Sequence, residues 1–300
     1  MITNKRSPFP LWIVFTAGII AISFSSIFVK LSSAPVSVSG MYRLFITNLL
    51  MLPMMWKYIP EIKKLSRKDW LLLIGSGAAL GLHFLLWMAS LNYTSVASST
   101  VLLTLEPIFV LAGAFIVYRE RTTTAAVAGI CLAVLAAMMI GFKDFTVSGG
   151  ALLGDLLSLL GTAAVAVHML LGQKLSKHIP SLLYSFVVFL VAGICFAIYN
   201  GFNGYSFIDY SINEYVLFLL LAIVPTVFGH VLFNWALKYV NAASVSSAVL
   251  GEPIGATLLA WMILGESINA IQVAAGLLLI FGVWIFIRNN HVRYEPQKAQ

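Results

Sequence analysis

The stretch YTSVASSTVLLTLEP, Tyr93 to Pro107, decides the fold because the chain carries it twice. The second copy is YVNAASVSSAVLGEP, Tyr239 to Pro253. Tyr93 pairs with Tyr239, Ala97 with Ala243, Glu106 with Glu252 and Pro107 with Pro253. The pairing continues to Glu120 and Glu266, always at an offset of 146 residues. That offset is close to half of the 300-residue chain, so two related units follow one another.

Both copies lie in apolar surroundings. The chain is 60% hydrophobic and only 10% charged, with a mean hydropathy of +0.96. A soluble domain of this length carries about 25% charged residues, so this much apolar surface needs lipid as its solvent. The net charge of +7 could suggest nucleic acid, but the basic residues form no stripe or basic helix. Cys131 and Cys195 each sit alone in an apolar run and read as small core residues rather than a metal or redox pair. Lys5 and Arg6 precede an apolar stretch too long for a signal-peptide core, which reads as a retained first span.

A membrane-crossing helix needs about 20 apolar residues. Such runs recur at 10–30, 37–57, 70–91, 96–117, 124–142, 150–173, 180–200, 214–237, 242–264 and 268–288. The expected fold is therefore an all-α membrane protein with ten transmembrane helices. Lys and Arg test the count. With ten alternating spans, fifteen of the eighteen fall on the side of the N-terminus, Lys30 and Lys143 fall on the other, and Arg43 lies within a span. This bias puts both termini in the cytoplasm. Each unit holds five spans, an odd number, so the second unit enters the membrane inverted relative to the first. The expected units are 1–146 and 147–292, followed by a tail at 293–300. Inverted repeats are a transporter design with the substrate site where the halves meet.

Ten spans, the five-plus-five inversion and the repeated Ala-Ser…Glu-Pro segment resemble the EamA branch of the drug/metabolite transporter superfamily. The resemblance covers about residues 10–288. It implies cytoplasmic termini, a central cavity lined by both halves, peripheral fifth and tenth spans, and export of amino acids and related metabolites across a bacterial inner membrane.

The residues themselves nominate a site. Glu106 and Glu252 lie mid-span, where a charge costs about 2.5–3.5 kcal/mol and needs a cavity, a partner or a proton. Each could bind a substrate amine, exchange a proton or tie helices together. Pro107 and Pro253 disturb the carbonyls of Leu103 and Val249, and Pro225 that of Leu221, marking three hinge positions. Arg43, whose counterpart at the repeat offset is Phe189, could neutralise Glu106, hold a substrate carboxylate or reach the membrane surface. If it neutralises Glu106, Glu252 is left as the carboxyl for a proton or an amine. His83 with Trp87, and His230 with Asn234, are four residues apart and share helix faces. Trp87 and Trp235 lie far enough from the span ends to line a pocket, whereas Trp12, Trp56, Trp70 and Tyr93 suit an interfacial belt. Gly75, Gly77, Gly81 and Gly129 suit close helix packing.

No catalytic set, metal spacing or Walker motif is present. The expectation is a secondary transporter rather than an enzyme, with no cofactor, a small-molecule substrate, a lipid environment, protons as a candidate coupling ion, no nucleic acid, and a monomer or homodimer. The alternatives are a multidrug, nucleoside or nucleotide-sugar carrier and, from another class, a membrane enzyme of lipid metabolism.

Overall fold

The computed structural model describes residues 7–119, 123–141, 149–267 and 270–289. Glu120, Lys5, Arg6, Arg121, Lys143 and the 293–300 tail, all used above, lie outside the described residues. Among the described residues every regular element is helical. Seven stretches are long and apolar enough to cross a membrane: Leu11–Leu31, Arg67–Ser90, Val96–Tyr118, Gly150–Leu175, Ser181–Phe202, Ile212–Ala236 and Ala242–Leu264. Helices Val36–Met55, Thr124–Gly141 and Ala270–Asn289 occupy the other three expected spans.

In chain order the helices are α1 (Leu11–Leu31), α2 (Val36–Met55), α3 (Ile59–Lys64) and α4 (Arg67–Ser90). They continue with α5 (Val96–Leu103), α6 (Glu106–Tyr118) and α7 (Thr124–Gly141). The second half begins with α8 (Gly149–Leu175) and α9 (Ser181–Phe202). A π-helical stretch, Ala222–Val231, joins α10 (Ile212–Leu221) to α11 (Leu232–Ala236). Then come α12 (Ala242–Val249), α13 (Glu252–Leu259) with a π turn over Ala260–Leu264, and α14 (Ala270–Asn289).

The repeat is visible in local chemistry. Ser95 caps α5 by accepting a hydrogen bond from the Ser98 amide, and Asn241 caps α12 through Ser244. Each helix is interrupted after about two turns, at Thr104–Leu105 and at Leu250–Gly251. A new helix then starts on Glu106-Pro107 or Glu252-Pro253. Proline cannot donate to the preceding turn, but it is at home in the first turn of a helix. The two second segments end in left-handed residues, Arg119 at φ 55° and Gly265 at φ 70°. These positions also differ by 146.

Packing partners repeat as well. α4 lies on α8 and α9, while the α10–α11 stretch lies on α1 and α2. The broken helix α5–α6 lies on α8, and α12–α13 on α1. Corresponding helices meet antiparallel. Between α2 and α9, Ser37 contacts Asn200, Gly40 faces Phe196 and Phe45 faces Gly193. Between α7 and α14, Gly129 and Gly282 bring the backbones together, and a Cβ on either would fall within 2.7 Å of the opposing chain. Gly77 and Gly81 admit α9 against α4 in the same way. Close packing through small residues drives helix association where lipid removes the hydrophobic incentive.

Candidate functional site

The helix interruptions bring the two halves to one cavity. It is lined by Glu106 and Glu252, by His83, Phe84 and Trp87 of α4, and by His230 and Phe233. Ile22, Ser25, Leu103, Val165, Met169 and Val249 complete the wall. Five of the sequence-nominated residues therefore meet here: Glu106, Glu252, His83, Trp87 and His230. The cavity is small. About 30 Å³ is open to the centre of a water molecule, whereas a single water needs about 10–15 Å³ on that measure. A metabolite fits only if the halves move apart.

Both carboxyls are buried and occupy the first turns of α6 and α13, where the unpaired amides of a helix start favour negative charge. Among the described residues, Glu106 Oε1 has no hydrogen-bond partner, nor has the buried indole Nε1 of Trp87. An unpaired acceptor and an unpaired donor thus border the same small space. His83 donates through Nδ1 to the Gly161 carbonyl at 2.9 Å, and stacks on Trp87 with ring centroids 6.2 Å apart.

Arg43 stands one layer behind this wall. Pro225 lacks an amide hydrogen, so the Leu221 carbonyl loses its usual helical donor. The Thr226 hydroxyl donates to that carbonyl at 2.8 Å. The same hydroxyl accepts from Arg43 Nε at 2.6 Å. Arg43 Nη1 donates to Ser25 Oγ at 3.1 Å, and the guanidinium lies 4.1 Å above the Phe84 ring. Phe84 meets His230 edge-on at 4.9 Å. The guanidinium is fully buried and Nη2 has no hydrogen-bond partner, so it does not extend to the surface. No ion pair joins it to Glu106. Among the described residues none joins it to Glu252 either.

Asn234 and Trp235 lie elsewhere. Asn234 belongs to a buried chain in which His168 Nε2 contacts Asn234 Oδ1 at 3.3 Å, and His168 Nδ1 contacts Ser76 Oγ at 2.9 Å. Ser76 Oγ also lies 2.7 Å from the Tyr184 hydroxyl, and Asn234 donates to Ser185 at 3.1 Å. Trp235 packs with Phe9 and Tyr239 near the start of α1. Sequence reasoning missed Ser25, Phe84 and Phe233 in the wall. Ser25 had a signal, since Ser23, Ser25 and Ser26 interrupt an apolar span. The partners of His168 had none, being far away in the chain.

The profile of the EamA-like transporter family matches residues 9–142 and again 152–288. The chain belongs to that family. Its drug/metabolite transporter character is shared by relatives across bacteria and archaea. The uncharacterized transporter YetK of Bacillus subtilis is 27% identical over 91% of this chain and 86% of its own. A transporter of Archaeoglobus fulgidus is 24% identical over 83% and 87%. The riboflavin transporter ImpX of Fusobacterium nucleatum is 23% identical over 75% and 79%. A solved crystal structure shares the fold with a TM-score of 0.73, over 91% of this transporter and 94% of that chain, at 14% identity. The protein is thus a multi-pass membrane transporter rather than an enzyme.

Proposed function

We propose that the protein is a ten-span secondary transporter with two inverted five-helix repeats (1–146 and 147–292), exporting amino acids or related metabolites across the bacterial inner membrane by alternating access. The observation that carries this reading is that Glu106 and Glu252, equivalent positions of the two halves, face one cavity at paired helix breaks. The antiparallel meeting of α2 with α9 and of α7 with α14 supports inversion, because an axis in the membrane plane reverses equivalent helices. The charge bias of the connections supports cytoplasmic termini.

For the substrate, a buried carboxyl with a free oxygen suits an amine, and a buried guanidinium with a free N–H behind the wall suits a carboxylate once the cavity widens. Pro107, Pro253 and Pro225 are the hinges in this scheme. No nucleotide-hydrolysis motif is present in the sequence, so the driving force is the solute gradient or proton exchange. A second reading, a flat heteroaromatic solute, is favoured by the rings of Phe84, Trp87 and Phe233 around the cavity and by the riboflavin-transporting relative.

A thermal-shift panel of amino acids, nucleosides and riboflavin on purified protein separates the two readings, because a bound solute stabilises the folded state. Stabilisation by an amino acid supports the first reading, and stabilisation by riboflavin or nucleosides alone overturns it. Flux in proteoliposomes that ignores a pH gradient, in both the parent and Glu252→Gln, removes proton coupling.

A further inference from the structure

Beyond the cavity, two acidic contacts join the halves, and they are copies of one another. Asp69 is the third residue after the N-cap Ser66 of α4, and each residue hydrogen-bonds the other's backbone amide. Its Oδ1 meets His178 Nε2 at 2.8 Å, in the connection between α8 and α9. Glu214 is likewise the third residue after Ser211, the N-cap of α10. Its Oε1 accepts from the Ser33 amide and hydroxyl, both at 2.8 Å. Its Oε2 accepts from the Ser32 hydroxyl at 2.5 Å, in the connection between α1 and α2. Cap, acid and donor site all correspond at one spacing, 145 residues: 66 with 211, 69 with 214, and 33 with 178.

Each acid therefore clasps the other half. Two further contacts stay within one half. Lys30 Nζ donates to the Thr94 carbonyl at 3.2 Å, and Ser176 Oγ donates to the Leu237 carbonyl at 2.9 Å. These ties fasten the end of each half's first helix to its own later connection. They also show where the clasps lie. Thr94 follows the C-terminal end of α4 and is tied to Lys30, beside Ser32 and Ser33. Asp69 begins α4, so the two clasps are separated by nearly its whole length, roughly 30 Å at 1.5 Å per residue.

We infer that Asp69–His178 and Glu214–Ser32/Ser33 are the two gate latches of the transporter, one at each end of the cavity. Opening one end releases its clasp, while the ties inside each half are kept. This inference rests on the alternating-access reading of the central cavity. The latches are unequal. Glu214 is buried and accepts three hydrogen bonds, whereas His178 has a side chain 52% exposed and makes one contact to Asp69. The end bearing Asp69 opens more readily.

The test uses the full chain with Cys131→Ala and Cys195→Ala and a single cavity probe, Val165→Cys, in sealed vesicles of both orientations. A membrane-impermeant thiol reagent reports access from each side. Glu214→Gln raises labelling about tenfold from its own side only, and Asp69→Asn raises it a few-fold from the opposite side only. Glu214→Asp, which keeps the carboxylate, stays nearer the parent. Ser32→Ala with Ser33→Ala, which removes both hydroxyl donors, and His178→Phe weaken the latches from the partner side, and they give the same side selectivity if an acid variant fails to fold. Labelling of the probe that ignores all four variants, or that rises on the same side for both latches, overturns the latches alone. A probe unlabelled from either side in every variant overturns the latches and the central-cavity reading together.

Discussion

The two Glu-Pro breaks share a cap, an interruption, an acid and a left-handed end, yet their electrostatic settings differ. At the first break, Glu106 keeps an unpaired carboxyl oxygen and shares its cavity with another acid. At the second, Glu252 lies within reach of the Arg43 guanidinium. The source of the difference is outside the repeat, because the residue equivalent to Arg43 is Phe189. Duplication supplied two equal scaffolds, and one arginine without a counterpart makes their surroundings unequal. The simplest sequence assignment pairs Arg43 with Glu106, but no ion pair joins them among the described residues. Glu106 becomes the stronger candidate to meet a substrate amine or a proton.

The largest effect on stability should come from deleting the asymmetry. Arg43→Ala removes two hydrogen bonds and the contact with Phe84, and empties a fully buried site. A loss of about 2–5 kcal/mol is expected for truncating a fully buried large side chain, read as a fall in thermal unfolding temperature in detergent. An unchanged unfolding temperature would remove Arg43 from the account.

Thr226→Val comes next. It should cost about 1–3 kcal/mol, because it leaves Arg43 Nε without its acceptor and strips the Leu221 carbonyl of its side-chain donor. Restoring the helical amide with Pro225→Ala supplies that carbonyl with a donor. The two substitutions should therefore be less than additive in a double-mutant cycle. Strict additivity would mean that the proline does not set up the threonine.

The smallest effect lies at the paired ends of the broken helices. Arg119 holds a left-handed conformation that suits glycine, which is what its counterpart Gly265 is. Arg119→Gly should stabilise, and Gly265→Ala destabilise, each by about 1 kcal/mol. Equal shifts of the same sign would show that the two ends are not equivalent.

Much of this was legible in the sequence. Apolar run lengths placed the helices to within a few residues, and proline chemistry placed both interruptions beside Glu106 and Glu252. Five of the nominated residues share the cavity because α4 presents positions four apart on one face and the repeat brings the two acids together. What was not legible depends on contacts across the fold. Thr226 receives Arg43 from 183 positions away, and His168 meets Ser76 from 92 positions away. Periodicity within a helix cannot report such neighbours, and it could not separate Trp87 in the wall from Trp235 near the start of α1. The latch acids did leave a trace, a Ser-x-x-Asp and a Ser-x-x-Glu that each open a helix 145 residues apart, but capping boxes are common and their cross-half partners are visible only in three dimensions.

The central claim is that solute crosses through the cavity between the two acids. The direct test is counterflow of the amino acid that most stabilises the purified protein, measured in proteoliposomes holding parent, Glu106→Gln or Trp87→Ala protein. The account predicts flux in the parent and a loss of at least about tenfold in each folded variant, the scale of one lost interaction with the solute. Undiminished flux when both Glu106→Gln and Glu252→Gln are present would contradict it.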